Sequence, residues 1–95
     1  GGKLMEAYKP KRGEAHLKAS PKRIALGNWL REQRNAKGLT MRDLAAISGK
    51  PHSYFGKIEQ GTRGLDILEF IELCEFLNLE PIKSFKAIVY LKTPT

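Results

Sequence analysis

Residues 49–64 read GKPHSYFGKIEQGTRG and gather His52, Ser53, Tyr54, Lys57 and Gln60 around Phe55 and Ile58, two apolar residues three apart. If this stretch is a helix over 51–60, Phe55 and Ile58 form one buried stripe. His52, Ser53, Gly56 and Lys57 then share the opposite face at spacings of one, three and four. That face is small or donor-bearing, and the only acid of the helix, Glu59, comes late. Such a surface suits hydrogen bonding to a polyanion, not bond-making chemistry. The chain has no glycine-rich phosphate loop and suggests no Ser/His/Asp or Cys/His arrangement. His16 and His52 with the single Cys74 do not make a zinc site. The expectation is a binding protein with no catalytic residue, metal or cofactor, and not an enzyme.

Composition agrees with a polyanionic partner. The 95 residues carry a formal net charge of +7, and 41% are hydrophobic, enough for one small domain plus a tail. Residues 1–22 hold six basic and two acidic groups, and residues 23–95 hold eleven and eight. The folded part is therefore only mildly basic, and arrangement matters there more than the total. No apolar run approaches the ~20 residues that span a bilayer, so no membrane partner is expected. A lone cysteine excludes an internal disulfide and points to a reducing compartment, the cytoplasm. The start shows no signal-peptide pattern. Gly1-Gly2 has no initiator Met, and Met5 is expected to be the natural beginning.

The elements that must position residues 51–60 follow from local signals. Residues 1–20 show no apolar period and contain Pro10 and Gly13, which predicts a flexible basic tail before a domain over 21–91. Ser20-Pro21 suits a helix start, since Ser caps and Pro lacks only an N–H that has no partner there. Leu26, Trp29, Leu30 and Gln33 follow at helical spacing, until Gly38. Thr40 with Asp43 forms a capping-box signal for a helix over 40–48, with Leu44 and Ile47 on its buried face, closed by Gly49. Gly61 closes the 51–60 helix. Asp66 with Glu69 opens a fourth, whose Glu69, Glu72 and Glu75 read as a solvated face and whose Cys74 reads as core. A last helix starts near Pro81, although AIVYL (87–91) is rich enough in β-branched residues to be a strand. The expected fold class is all-α, a compact bundle of about five short helices.

Two short helices separated by a turn form a helix-turn-helix, whose second helix fits the major groove of B-DNA. At this point residues 26–79, LGNWLREQRNAKGLTMRDLAAISGKPHSYFGKIEQGTRGLDILEFIELCEFLNL, resemble the lambda-repressor-like, Xre/Cro-type helix-turn-helix family. The resemblance implies five helices around one core containing Leu30, Leu44, Ala45, Phe55 and Ile58. It implies Pro51, His52, Ser53, Gly56 and Lys57 at base-facing positions, and Arg42, Tyr54, Thr62 and Arg63 at phosphates. It also implies a buried ion pair between Arg34 and Glu59. Two departures stand out: Met41 occupies a place where the family often has a phosphate-binding Gln, and Pro51 replaces the usual capping residue.

The function implied is a sequence-specific, DNA-binding transcription regulator of bacterial or phage type, a repressor by default. It would bind a palindromic operator in double-stranded DNA as a homodimer. Residues 85–92, FKAIVYLK, are the expected dimer surface. The alternative is a protein-interaction module on the same fold, such as an antitoxin or adaptor, with a protein partner in place of DNA.

Overall fold

The computed structural model describes residues 20–91, and these fold into five α-helices with no strand among them. They are α1 (Pro21–Ala36), α2 (Met41–Ser48), α3 (His52–Glu59), α4 (Ile67–Phe76) and α5 (Pro81–Val89). The expected basic tail lies outside the described residues, apart from Ser20. None of the described helices is long and apolar enough to cross a membrane.

Local chemistry sets the helix starts. The Ser20 hydroxyl accepts from the Arg23 amide at 3.1 Å, ahead of Pro21. Thr40 and Asp43 exchange side-chain and backbone bonds in a full capping box, as do Asp66 and Glu69. In α5 the cap is the Glu80 side chain, which accepts the Lys83 amide. With Pro81 in the first turn, this cap directs the β-branched stretch at 87–89 into helix, not strand. Only α3 starts without a side-chain cap, because its N-cap is Pro51. Gly49 ends α2 in the left-handed conformation at φ +73°, which glycine adopts without steric cost.

The core is one cluster of Trp29, Leu30, Leu44, Phe55, Ile58, Phe70, Leu73, Cys74 and Leu77, drawn from the first four helices and the end of α4. Burying each of its large apolar side chains contributes about 1.5–3 kcal/mol. Trp29 packs beside Phe70, ring centres 6.2 Å apart. Burial also pushes the Cys74 thiol above its usual range. Helices α1 and α3 pack closely at Gly27: a Cβ there would collide with the carbonyl oxygen of Ile58 and meet that of Glu59 at 2.7 Å.

One burial expectation is corrected. Ile47 is 51% exposed, because α2 is only eight residues long and Leu44 alone is its buried residue. Ile67 and Ile71 also face outward, leaving Phe70, Leu73 and Cys74 as the buried stripe of α4.

Candidate nucleic-acid interface

Helix α3 is anchored through Phe55 and Ile58, which are 1% and 0% exposed. With that stripe inside, His52, Ser53 and Lys57 project into solvent, and Pro51 is exposed at the start of the helix. Gly56 lies among them with nothing within 4 Å of where a Cβ would stand, so the middle of this face is a shallow depression. Arg42 is exposed in the first turn of α2. Met41 is turned inward and packs against the core, so it offers nothing to an outside phosphate.

The loop after α3 is tied to that helix through one acceptor. The Lys57 carbonyl receives the Thr62 amide at 3.0 Å, the Thr62 hydroxyl at 3.2 Å and the Arg63 amide at 3.3 Å. The loop therefore rides on the last turn of α3. Beyond it, the Arg63 guanidinium stacks 4.5 Å from the centre of the Tyr54 ring, and the Lys50 ammonium lies 5.4 Å from the same ring. Such cation–π contacts hold positive charge beside the exposed face of α3.

Glu69 anchors this group. Its carboxylate accepts from the Tyr54 hydroxyl at 2.9 Å, from Arg63, and from the Asp66 amide at 3.0 Å. The Asp66 amide, followed by the Tyr54 and Arg63 donors, holds the Glu69 carboxyl below the usual range. Partial burial, reinforced by the Glu69 charge, pushes the Tyr54 phenol up to about 12. Glu69 is thus not part of a solvated acidic face; Glu72 and Glu75 are. Its place in the capping box was readable, but its partners lie six and fifteen residues away.

A second carboxylate seats α3 on α1. Arg34 donates through Nε to Glu59 Oε2 at 2.8 Å and through Nη2 to Oε1 at 3.1 Å. Its Nη1 reaches the Leu39 carbonyl at 2.8 Å. Hydrogen bonding to Glu59 raises the Arg34 pKa. Arg31 joins the cluster, donating to Glu59 Oε1 at 3.2 Å and to the Glu59 carbonyl at 3.3 Å. No spacing in the sequence marks Arg31 for this role, since it depends on how α1 crosses α3.

The outer sides of α4 and α5 carry exposed apolar residues among their charged ones. Ile67, Leu68, Ile71, Ile82, Phe85 and Val89 are all exposed, and Phe85 meets Phe70 edge-on with ring centres 6.3 Å apart. Of the residues expected at the dimer surface, Phe85, Val89 and Tyr90 point outward while Ile88 and Leu91 pack on the core; Lys92 lies outside the described residues. Among the described residues, no group of three or more His, Cys, Asp or Glu side chains is placed to hold a metal ion.

Comparison with known proteins agrees with this geometry. A helix-turn-helix family profile matches residues 30–83. The restriction-modification controller protein C.AhdI from Aeromonas hydrophila is similar in structure with a TM-score of 0.64 and 36% identity, over 70% of this chain and 100% of that one. The clp gene regulator ClgR from Corynebacterium glutamicum is similar at 26% identity and a TM-score of 0.65, over 76% of this chain and 77% of that one. The restriction-modification controller protein C.Esp1396I, solved as a tetramer with its natural 35 base-pair operator, shares the fold at 24% identity and a TM-score of 0.66, over 74% of this chain and 92% of that one. A search of curated protein sequences finds no significant match. The chain belongs to the helix-turn-helix family of DNA-binding transcription regulators, in its lambda-repressor-like, Xre-type form.

Proposed function

We propose that α3 enters the major groove of double-stranded DNA and reads a specific sequence there. Pro51, His52, Ser53, Gly56 and Lys57 face the bases, and Arg42 and Arg63 meet the phosphates on either side, while Tyr54 and Thr62, whose hydroxyls donate to Glu69 and to the Lys57 carbonyl, shape that rim. The observation that carries this reading is the arrangement of α3: two residues buried to the hilt, and on the other side exposed donors with no carboxylate among them. Lys57 has the reach to donate to guanine O6 and N7, while the depression at Gly56 lets the helix sit close. Phosphate contacts from the rim set the register.

The protein acts as a homodimer on a two-fold operator, because one eight-residue helix reads only a few base pairs. The apolar surface shared by α4 and α5 is the dimer interface, and it places the two α3 helices on one side of the duplex. Occupying the operator blocks transcription, so the regulator is a repressor. Catalysis has no part in this action, and the site of action is the cytoplasm. The identity of 36% to a restriction-modification controller protein supports a regulatory role of this kind.

Selection of bound duplexes from a random DNA pool tests the reading. The expected product is a palindrome whose half-sites are spaced by whole helical turns. Lys57→Ala is then expected to relax preference at one base pair per half-site by about 1–3 kcal/mol, with an unchanged melting temperature. Failure to enrich any sequence at low salt would defeat the proposal. The exposed apolar surface of α4 and α5 also fits the antitoxin or adaptor alternative; a chain that stays monomeric alone and binds a protein at that surface would favour it.

A further inference from the structure

Glu69 stands apart from the other acids of α4. Its side chain is only 19% exposed. One carboxylate oxygen is fixed by the Asp66 amide, which ties it to the first turn of its own helix. The other oxygen accepts from both the Tyr54 hydroxyl and Arg63. The Arg63 backbone is held as well, through its amide to the Lys57 carbonyl. Arg63 is therefore fastened at both ends, main chain to α3 and head group to α4, while 37% of its side chain stays exposed.

An arginine on a loop samples many rotamers, and ordering it on an anion costs free energy. Here that ordering is completed during folding. Glu69 takes one of the five guanidinium N–H donors, so others are left for an outside oxygen. A carboxylate so close also repels a phosphate. Ordering and repulsion have opposite signs, so an experiment can tell which dominates.

We infer that Glu69 is a positioning residue for DNA binding: it holds Arg63 against the Tyr54 ring in the pose that meets a backbone phosphate. The inference rests on the DNA-binding reading proposed above. Glu69 does not touch the DNA itself; it acts through Arg63.

The probe is the duplex that the wild-type chain selects from a random pool. Glu69→Gln removes the charge but keeps an acceptor that suits a capping box. Glu69→Asp keeps the charge and shortens the reach, and α2 already caps with an Asp at that position. Both variants are expected to bind roughly tenfold more weakly, because Arg63, no longer held in place, gives up its phosphate contact. The slope of log affinity against log salt is expected to become shallower by about 0.9, the signature of one lost phosphate contact. In an Arg63→Met background, neither change is expected to alter affinity further. Tighter binding by Glu69→Gln, or wild-type binding by Glu69→Asp, would overturn the inference. So would equal losses with and without Arg63, which would make Glu69 a prop for the fold alone. Those outcomes leave DNA recognition standing, whereas a wild-type chain that selects no duplex overturns both.

Discussion

Glu59 in α3 and Glu69 in α4 both hold arginines, yet their surroundings differ. The Glu59 side chain is 3% exposed and its partner Arg34 14%. The Glu69 and Arg63 side chains are 19% and 37% exposed. In the first pair, solvent cannot replace a missing partner, so the contact belongs to the architecture of α1 on α3. In the second, water partly screens the charges, and a half-exposed pair of this kind adds only about 0–1 kcal/mol to stability. Burial, more than the chemistry of the pair, separates a charge used to build the domain from one still available to an outside anion.

The sharpest way to break this contrast is to delete each carboxylate. Glu59→Ala leaves Arg34 buried without its counter-ion and is expected to cost about 3–5 kcal/mol. For a domain of this size, each kcal/mol lowers the melting temperature by about 4–8 °C. Loss of DNA binding should follow from loss of fold. An unchanged melting curve would erase the distinction between the two acids.

Gly27→Ala reaches the same seat from the other side, since the new methyl would push into the backbone of Ile58 and Glu59. Overpacking of this kind costs about 1–3 kcal/mol, and urea midpoints would show it. The exposed pair has the smallest expected effect, and pH reveals it. The Glu69 carboxyl is held below its usual range, so its contribution is complete above the unfolded value of about 4.3 and is lost as pH falls through the lower folded value. Chemical unfolding of the wild type and Glu69→Gln should differ most near neutrality and converge in acid. A gap that widens as pH falls would contradict the assignment.

Much of the fold was legible because its signals are local. Ser20-Pro21, Thr40 with Asp43 and Asp66 with Glu69 each start a helix through bonds spanning three residues. The stripe of Phe55 and Ile58 was readable for the same reason. What escaped depends on how helices cross. Arg31 reaches a carboxylate 28 residues away. Glu69 finds Tyr54 and Arg63 only once the loop has folded back. Ile47 has the type and spacing of a core residue, yet half of it stays exposed. Residues 87–89 could have been strand on propensity alone, until the Glu80 cap and Pro81 are taken into account.

The Lys57 carbonyl, which gathers three donors from the following loop, separates two kinds of change. The anchor is main chain, so it is the same whatever side chain position 57 carries. On the proposed reading, a substitution there would alter which bases are preferred without loosening the rim proposed to meet the phosphates. Preference for one operator over another would then drift in single steps, each passing through a protein that still folds and still holds DNA.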